Sequence, residues 1–272
     1  MKKLLALLLC VTMAAFTLTG CGASEDAAAT SEGGERTTFT VGFDAEFPPY
    51  GYMDDNGEYV GFDLSLAQEV CNRNGWELVK QPINWDTKDM ELSSGAIDCI
   101  WNGFTINGRE DAYTWSVPYV DNSQVFVVAA DAGIASQADL AGKTVAVQAD
   151  SSALAALNSE ENTALTESFA ALNQFAEYNT AFMDLEAGAV DAVAMDIGVA
   201  NYQMESREAG KFVILDDYLS TEQYGVGFLL GNEALRDQVQ STLYEMVEDG
   251  TFAKIAEEWG LSDVVCLTAD AE

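Results

Sequence analysis

Hydrophobic and polar positions along the chain follow two periods, one typical of strands and the other of helices. Residues 38–43 (TFTVGF) alternate and are rich in β-branched and aromatic side chains, which predicts a first strand. The wholly apolar run at residues 125–130 predicts a buried strand. Apolar residues three and four apart within residues 232–249 predict an amphipathic helix. Because segments of both kinds alternate along the chain, the pattern indicates an α/β fold.

The other elements predicted from these two periods continue the alternation. The further strands are at residues 76–82, 96–101, 144–148, 189–195, 211–215 and 223–230. The further helices are at residues 62–74, 86–94, 153–157, 180–187, 197–206 and 251–259, with a short helical turn at 138–142. Asp63 is the expected N-cap of the first helix and Gly75 its end. In the second helix, Met90 and Leu92 are expected to face inward.

A helix end, a glycine and a strand occur twice in nearly the same letters. Residues 92–100 are LSSGAIDCI and residues 185–193 are LEAGAVDAV, so the shared pattern is L-x-x-G-A-[I/V]-D-x-[I/V]. Polar residues follow each copy, and they are Asn102, Gly103, Thr105 and Arg109 after the first and Asp196 after the second. Small ligands of open α/β sheets bind beyond the carboxyl ends of the strands.

The two copies therefore predict two similar α/β lobes with opposite charges at their strand ends. Arg109 gives one lobe a cation and Asp196 gives the other an anion. A zwitterion bound between the lobes would match both charges. The alternative is that the unit recurs only because a helix, a glycine and a strand often follow one another.

The composition limits the possible classes of function. The length of 272 residues allows one large domain or two of ordinary size, and the apolar share of 49% is enough for a full core. Its formal net charge is −33 and it contains no histidine, so it lacks the commonest metal ligand and general base. Because binding to nucleic acid requires clustered Lys and Arg, nucleic acid is not an expected partner.

The first 37 residues have the pattern of a targeting segment followed by a linker. Lys2 and Lys3 precede an apolar run that ends in LTGC at residues 18–21, which predicts a signal peptide over residues 1–20. The LTGC sequence resembles the lipobox of bacterial lipoproteins, in which the cysteine, here Cys21, carries the lipid. An ordinary signal peptide with a chance cysteine is the alternative. Residues 21–37 are mostly small and polar, which predicts a flexible tether.

Three cysteines, Cys71, Cys99 and Cys266, remain after the predicted signal peptide and the lipidated cysteine are set aside. An odd number does not fit a disulfide framework, so buried thiols are expected, with one bridge among the three as an open alternative. No metal site is expected, because neither a CxxC motif nor a histidine accompanies them. The acids of DDNG at residues 54–57 resemble the start of a calcium loop. No glutamate occurs six residues past the glycine, however, so a hairpin turn is predicted.

Several motifs of the chain occur in the same order in a known family of binding proteins. They are VGFDAEFPPYGYMDDNGEYVGFDLSLAQEV, LSSGAIDCIWNGFTINGRE, WSVPY, DLAGKTVAVQADSS, LEAGAVDAVAMD, YGVGFLL and EDGTFAKIAEEWG, within residues 39–261. In order and spacing they resemble the family 3 extracellular solute-binding proteins of polar amino-acid ABC transporters. The resemblance implies a two-lobe periplasmic-binding-protein-like fold of type II, with hinge crossings near residues 121–125 and 219–223. It implies lobe 1 at residues 38–122 and 223–265 and lobe 2 at residues 123–222.

The resemblance also implies roles for individual residues. Arg109 matches the arginine that holds the ligand α-carboxylate, a role that suits guanidinium because it donates two parallel charge-assisted bonds. Asp196 matches the acid that binds the ligand ammonium. Gly103 and Thr105 match contacts through a backbone N–H and a hydroxyl, and Ser152 matches a carboxylate contact from the second lobe. The loop before Arg109 is one residue shorter than is usual in the family.

Further residues are implied to line the pocket for the ligand side chain. Asp44 and Phe47 match an acid and an aromatic wall of the family. The other implied wall residues are Phe62, Trp101, Asn102, Gln148 and Met195. For Ser152, a plain N-cap role at the start of a helix is the simpler alternative, and for Asp196 an N-cap role for the helix at residues 197–206 is compatible with ammonium binding.

The function implied is that of the substrate-binding component of an ABC importer: a monomer without a cofactor that captures a polar amino acid and delivers it to a permease. Cystine and glutamine are favoured slightly over arginine, because Asn102 and Gln148 suit a neutral polar side chain. One alternative is an enzyme on the same scaffold, as in cyclohexadienyl dehydratases and some lytic transglycosylase modules, with Glu46 as the one extra acid near the expected crevice. A sensor or adhesion module is another.

Overall fold

Two β-sheets with helices packed against them make up most of the structure, a computed structural model that describes residues 36–268. The predicted signal peptide, Cys21 and residues 22–35 of the predicted tether lie outside the described residues. The strands are β1 (Thr38–Phe43), β2 (Glu46–Phe47), β3 (Gly51–Met53), β4 (Tyr59–Val60), β5 (Glu77–Pro82), β6 (Cys99–Ile100), β7 (Thr114–Trp115), β8 (Val120–Ala129), β9 (Thr144–Gln148), β10 (Ala171–Phe175), β11 (Ala192–Asp196), β12 (Phe212–Ile214), β13 (Ser220–Tyr224) and β14 (Gly227–Phe228). The α-helices are α1 (Phe62–Asn74), α2 (Lys88–Ser93), α3 (Ser152–Leu157), α4 (Thr163–Ser168), α5 (Tyr178–Glu186), α6 (Ile197–Glu205), α7 (Glu233–Glu248) and α8 (Thr251–Glu258), and 3₁₀ helices occur at Trp85–Thr87 and Gln137–Leu140.

The first sheet has the strand order β5-β1-β6-β14-β7. β1 runs parallel to β5 and β6, whereas β14 is antiparallel to β6 and β7. Helix α1 packs on β1 and β5, and α7 and α8 pack on α1. Because β14, α7 and α8 come late in the chain, both halves of the sequence contribute to this lobe. A small antiparallel sheet, β2-β3-β4, follows β1.

The second sheet has the order β10-β9-β11-β8-β12, and β13 also pairs with β8. β9 is parallel to β10 and β11, and β8 is antiparallel to β11, β12 and β13. Helices α3 and α5 pack on β9 and β11, and α6 packs on β8 and β11. Every residue of β11 (AVAMD) is buried, as is typical of a central strand covered on both faces.

The chain crosses between the two sheets on a pair of antiparallel strands. Val120 of β8 lies opposite Tyr224 of β13, and Gln124 lies opposite Ser220. These paired segments are where the sequence predicts the hinge crossings. Asn122 lies opposite Glu222 in the same register, so polar residues of the two crossings are neighbours. The numerical lobe boundaries stay a prediction.

The elements near the start of the chain show where the sequence pattern is right and where it is wrong. β1 and α1 have the predicted bounds. Asp63 is not the N-cap of α1: Gly61 takes that position, and Asp63 lies buried in the first turn. Met90 does not face inward, because its side chain is 63% exposed while Leu92 is buried. The predicted helix at residues 86–94 begins as a 3₁₀ helix and continues as α2. Because the two helix types have different numbers of residues per turn, the side chains point in directions other than those of a continuous α-helix.

Several predicted strands are shorter or divided. The predicted strand at residues 96–101 is reduced to β6, and the one at 223–230 is split into β13 and β14. The division occurs where Gly225 donates its backbone N–H to the carbonyl of Phe104, outside either ladder. The sequence pattern did not predict β2, β7, β10 and α4. These elements are short, or their residues do not alternate between buried and exposed positions.

The cysteines and the acidic DDNG segment have structural roles. Cys71, Cys99 and Cys266 are free thiols, and the first two are buried, which confirms that expectation. Residues 54–57 form the predicted turn, because the carboxylate of Asp54 accepts the backbone N–H groups of Asn56 and Glu58, each at 2.9 Å. Within residues 36–268, no three His, Cys, Asp or Glu residues are grouped so that they could hold a metal ion. No helix in this part of the chain is long and apolar enough to span a bilayer.

Candidate functional site

Arg109 lies in the loop after β6 and reaches across to the start of α3. Its Nη1 atom donates to the hydroxyl of Ser152 at 3.0 Å and to the carbonyl of Thr105 at 3.3 Å. The guanidinium carbon lies 5.4 Å from the ring centre of Phe104, and Trp115 Nε1 donates to the Arg109 carbonyl at 3.0 Å. These contacts fix the loop, so the shorter spacing before Arg109 still brings the guanidinium to the second lobe.

Ser152 is free to contact Arg109 because another serine caps α3. The hydroxyl of Ser151 accepts the backbone N–H of Leu154 at 3.1 Å, which is the N-cap bond of this helix. The simpler N-cap alternative therefore applies to Ser151 and not to Ser152. Arg109, Ser152 and Glu222 are among the residues that line a cavity of about 270 Å³.

Asp196 ends β11 and is 4% exposed. Its Oδ1 atom accepts hydrogen bonds from Asn122 Nδ2 at 2.9 Å and Gln124 Nε2 at 2.8 Å, and also from the hydroxyl of Tyr224. It occupies the N-cap position of α6, but its side chain makes no cap hydrogen bond. Burial, and then the charge of Glu222, raise the pKa of Asp196 to about 7.

Glu222 is a further buried acid of this site that the sequence reasoning did not identify. It is 7% exposed, and its Oε1 atom accepts from Thr105 Oγ1 at 2.9 Å. The same oxygen accepts from Asn122 Nδ2 at 2.7 Å and from Gln124 Nε2 at 2.8 Å. The two amides thus donate to both Glu222 and Asp196. The sequence signal was available in TEQYG, where an acid directly precedes the strand predicted at residues 223–230, but nothing in it indicated burial.

A continuous set of hydrogen bonds therefore connects the predicted cation with the predicted anion. Arg109 contacts the carbonyl of Thr105, and the hydroxyl of Thr105 contacts Glu222. The amide of Gln124 then bridges Glu222 and Asp196. The opposite charges predicted from the two repeat copies are thus brought to one region of the structure.

Asp44, Asn102 and Gln148 form a second group of contacts between the sheets. Gln148, at the end of β9, donates from Nε2 to Asp44 Oδ2 at 2.7 Å. Asp44, which follows β1, donates its backbone N–H to Asn102 Oδ1 at 2.9 Å. Burial raises the pKa of Asp44 to about 6. The structure therefore brings together three side chains predicted to line the pocket.

Aromatic rings pack beside these polar groups. Phe47 lies 5.8 Å from the ring centre of Tyr50 and 6.0 Å from that of Tyr178, and Tyr50 lies 5.2 Å from Tyr224. Gly103 has φ +57°, and a Cβ atom there would come within 2.8 Å of the Phe47 ring and 3.1 Å of the Tyr224 ring. Glycine suits this position, since the left-handed backbone region disfavours a side chain and the two rings crowd the space that a Cβ atom would occupy.

Three residues predicted to contact the ligand make other contacts in this structure, and one of them is Thr105, whose hydroxyl donates to Glu222 Oε1. The backbone N–H of Gly103 donates to Asp63 Oδ2 at 2.6 Å, so a carboxylate of the first lobe occupies the donor that was assigned to the ligand. Phe62 is not brought together with the other predicted residues. Its ring packs 6.3 Å from that of Tyr119 and 6.0 Å from that of Phe252, because it opens α1 on the side that faces the core.

Trp101 and Met195 are also core residues in this structure. Both are fully buried, and the ring of Trp101 lies 6.4 Å from that of Tyr119. Outside the predicted set, Lys88 and Asp150 form an ion pair between the two lobes. The side chain of Lys88 is only 2% exposed, and Asp150 has φ +55° in the left-handed region.

Comparison with known proteins places this geometry among amino-acid-binding proteins. Residues 39–262 match the family model described as bacterial extracellular solute-binding proteins, family 3. The L-cystine-binding protein TcyJ of Escherichia coli (strain K12) is 29% identical over 233 residues, 85% of each chain. The L-cystine-binding protein TcyA of Bacillus subtilis (strain 168) is 29% identical over 273 residues, 97% of this chain and 98% of the relative.

A solved structure confirms the predicted two-lobed α/β fold. It is that of an ABC uptake transporter substrate-binding protein from Streptococcus pneumoniae with bound histidine. The TM-score is 0.80 at 33% identity, and the match covers 85% of this chain and 95% of that one.

Proposed function

The chain belongs to the bacterial extracellular solute-binding proteins, family 3, and on that premise we propose that it is the substrate-binding component of an ABC importer. It captures a polar amino acid outside the membrane and delivers it to a permease. The single observation that carries this proposal is the hydrogen-bond network in which Arg109 and Asp196 are joined through Thr105 and Glu222. A half-buried cation and a buried anion joined by one network match the two ends of an α-amino acid.

Each end of the amino acid has a chemically suited group. The guanidinium of Arg109 holds the α-carboxylate, helped by the hydroxyl of Ser152, which lies 3.0 Å from it. Asp196 accepts the α-ammonium, and its own burial makes such a cation favourable there, since a lone buried carboxylate is costly. Asp44, Phe47 and Gln148 then surround the side chain. Closure of the two lobes over the ligand is a hinge motion about β8 and β13.

Cystine or glutamine is the ligand that we propose first. The neutral amides of Asn102 and Gln148 favour a polar uncharged side chain, and two similar proteins are named for binding L-cystine. A structure similar to this chain contains histidine, so histidine belongs in the test. Arginine stays in the same test as the cationic alternative.

We propose that the protein binds its ligand and releases it without chemical change. An enzyme on this scaffold would need a proton donor, and the sequence offers Glu46. Glu46 is half-buried, and it lines a cavity of about 540 Å³ that includes none of Arg109, Ser152 and Asp196. Mass spectrometry of the ligand after prolonged incubation should recover it intact.

We propose that the chain is held on the extracytoplasmic face of the membrane by a lipid on Cys21. This follows from the LTGC sequence at residues 18–21, and Cys21 lies outside the described residues. The mature chain, without residues 1–20, carries 10 basic and 45 acidic residues, a net charge of −35. We expect it to act as a monomer. Replacement Cys21→Ala should move the protein from the detergent phase to the aqueous phase in a Triton X-114 partition of expressing cells.

A thermal-shift screen tests the binding function directly. The panel is the twenty amino acids plus L-cystine, each added to the purified protein without its signal peptide. A ligand at ~100 times its Kd adds about 2.7 kcal/mol of stability, which gives a clear rise in melting temperature. A panel in which no amino acid raises the melting temperature would contradict the proposal.

A further inference from the structure

Two buried carboxylates, Asp196 and Glu222, share the same two amide donors on the hinge strand β8. Asn122 Nδ2 donates to Asp196 at 2.9 Å and to Glu222 at 2.7 Å. Gln124 Nε2 donates to each at 2.8 Å. The register places Glu222 of β13 opposite Asn122, and Asp196 of β11 opposite Gln124. The pair is therefore built on three adjacent strands, two of which are the crossings between the lobes.

The two amides that donate to this pair have carbonyl oxygens without a donor of their own. Asn122 Oδ1 and Gln124 Oε1 are buried, and no hydrogen-bond donor among residues 36–268 reaches them. No lysine or arginine in that range forms an ion pair with Asp196 or Glu222. Two carboxylates and two amide carbonyls together are matched by a group with several N–H donors and a positive charge, such as an ammonium.

We infer that Glu222 is a second carboxylate of the ammonium site, and that the Asp196–Glu222 pair takes up the ligand ammonium in exchange for a proton. This inference rests on the proposed function, and it adds a specificity residue to it. The exchange is balanced: the free pair carries one proton on Asp196, the ligand enters as its ammonium form, and the proton leaves to water. No covalent bond of the ligand changes.

The surroundings of the pair make this exchange dependent on pH. Burial, followed by the charge of Glu222, raises the pKa of Asp196 to about 7. The ionisable groups that face the pair are the phenols of Tyr50, Tyr178 and Tyr224, all of which stay neutral because burial raises their pKa values well above 10.0. Below pH 7 the ligand must displace the proton, so its affinity rises with pH until the proton is already lost.

The size of the effect follows from linkage. With a pKa of about 7 in the free protein, affinity should be about tenfold tighter at pH 8 than at pH 6. Binding should release close to one proton at pH 6 and close to none at pH 8. The variant Glu222→Gln keeps the shape and one hydrogen-bond acceptor but loses the charge. We expect it to bind about tenfold more weakly at pH 8 and to have a flatter pH dependence.

Isothermal titration calorimetry tests these numbers. L-cystine, L-glutamine, L-arginine and L-histidine are titrated separately into wild type at pH 6 and pH 8, in two buffers of different ionisation enthalpy. The difference between the buffers counts the protons released. Glu257→Gln, which neutralises an exposed glutamate of α8, is the matched control and should behave as wild type.

The possible outcomes separate this inference from the proposed function. Binding by wild type with no proton released at pH 6 overturns the exchange and leaves the binding function intact, and this result needs no variant. Equal affinities of Glu222→Gln and wild type at pH 8 overturn the role of Glu222. A weakened variant that keeps the full pH dependence shows a purely structural role and also overturns it. If none of the four amino acids binds wild type, the proposed ligand class and this inference fail together.

Discussion

Arg109 donates a hydrogen bond of 3.0 Å to the hydroxyl of Ser152. Arg109 follows β6 of the first sheet, and Ser152 begins α3 beside the second, so the bond joins the two lobes. A ligand carboxylate at this point can accept from both side chains at once. Under the proposed function, we expect binding of the carboxylate and closure of the lobes to be connected through this contact.

The first prediction concerns this guanidinium. Replacement Arg109→Ala should abolish every ligand-induced rise in melting temperature, because the carboxylate loses its charge-assisted donors. The ligand-free melting temperature should change little, since Arg109 is only half-buried and forms no ion pair within residues 36–268. Lys254→Ala is the control, because Lys254 is a 75% exposed cation whose removal should leave binding intact. A normal shift in Arg109→Ala would show that this residue is not a ligand contact.

The second prediction concerns the loss of folding stability caused by the buried carboxylate of Asp196. Asp196→Asn should lose binding, yet it should raise the ligand-free melting temperature at pH 8. The pKa of Asp196 is raised to about 7 by burial, so its ionised form destabilises the fold progressively as pH rises from about 4 to 7. The stabilisation by asparagine should therefore be largest at pH 8 and should vanish near pH 4. Melting curves at pH 4 and pH 8 measure this stabilisation. A rise in melting temperature that is larger at pH 4 than at pH 8 would contradict the prediction.

Arg109 and Asp196 could be predicted from the sequence because each follows a copy of the same local unit. The repeat placed both at the ends of buried strands, and opposite charges at two such ends are visible without a structure. The main elements were also predictable, since β1 and α1 depend on local periodicity alone.

Glu222 and its two amide partners could not be predicted in the same way. Glu222 contacts Asn122 across 100 residues of sequence, and the contact exists only because β8 and β13 pair in one register. In the sequence, Glu222, Asn122 and Gln124 look like the polar residues of any exposed strand. The packing of Phe62 against Phe252 was not predictable for a related reason, because the resemblance supplies a position but not the direction in which a ring packs.

The third prediction concerns the ion pair between Lys88 and Asp150, which connects the lobes next to Ser152. Asp150→Asn removes the charge but tolerates the φ of +55° at this position. It leaves the ammonium of Lys88, which is 2% exposed, without its carboxylate partner. We therefore expect the closed form to be less favoured and ligand dissociation to be about three- to tenfold faster.

Stopped-flow measurement of dissociation at two salt concentrations checks this effect. In wild type the rate should increase with ionic strength, since the side chain of Asp150 is 55% exposed and salt screens the pair. In Asp150→Asn the rate should depend much less on salt. Asp55→Asn, at an exposed acid in the DDNG turn, is the control for loss of one negative charge. Identical dissociation rates in Asp150→Asn and wild type would rule out a role of the pair in closure.

The fourth prediction uses two glycines that share a backbone conformation but differ in their surroundings. Gly103 (φ +57°) and Gly95 (φ +75°) both lie in the left-handed region. A Cβ at Gly95 would meet no atom within 4 Å, whereas at Gly103 it would come within 2.8 Å of the Phe47 ring and 3.1 Å of the Tyr224 ring.

Gly95→Ala should therefore lower the free energy of unfolding by about 1–2 kcal/mol, the cost of the conformation alone. Gly103→Ala should cost about 1–3 kcal/mol more because of the crowding, and it should also weaken binding, since Tyr224 donates to Asp196. Urea unfolding of both variants gives the difference, and equal costs would mean that the rings beside Gly103 can move aside without loss.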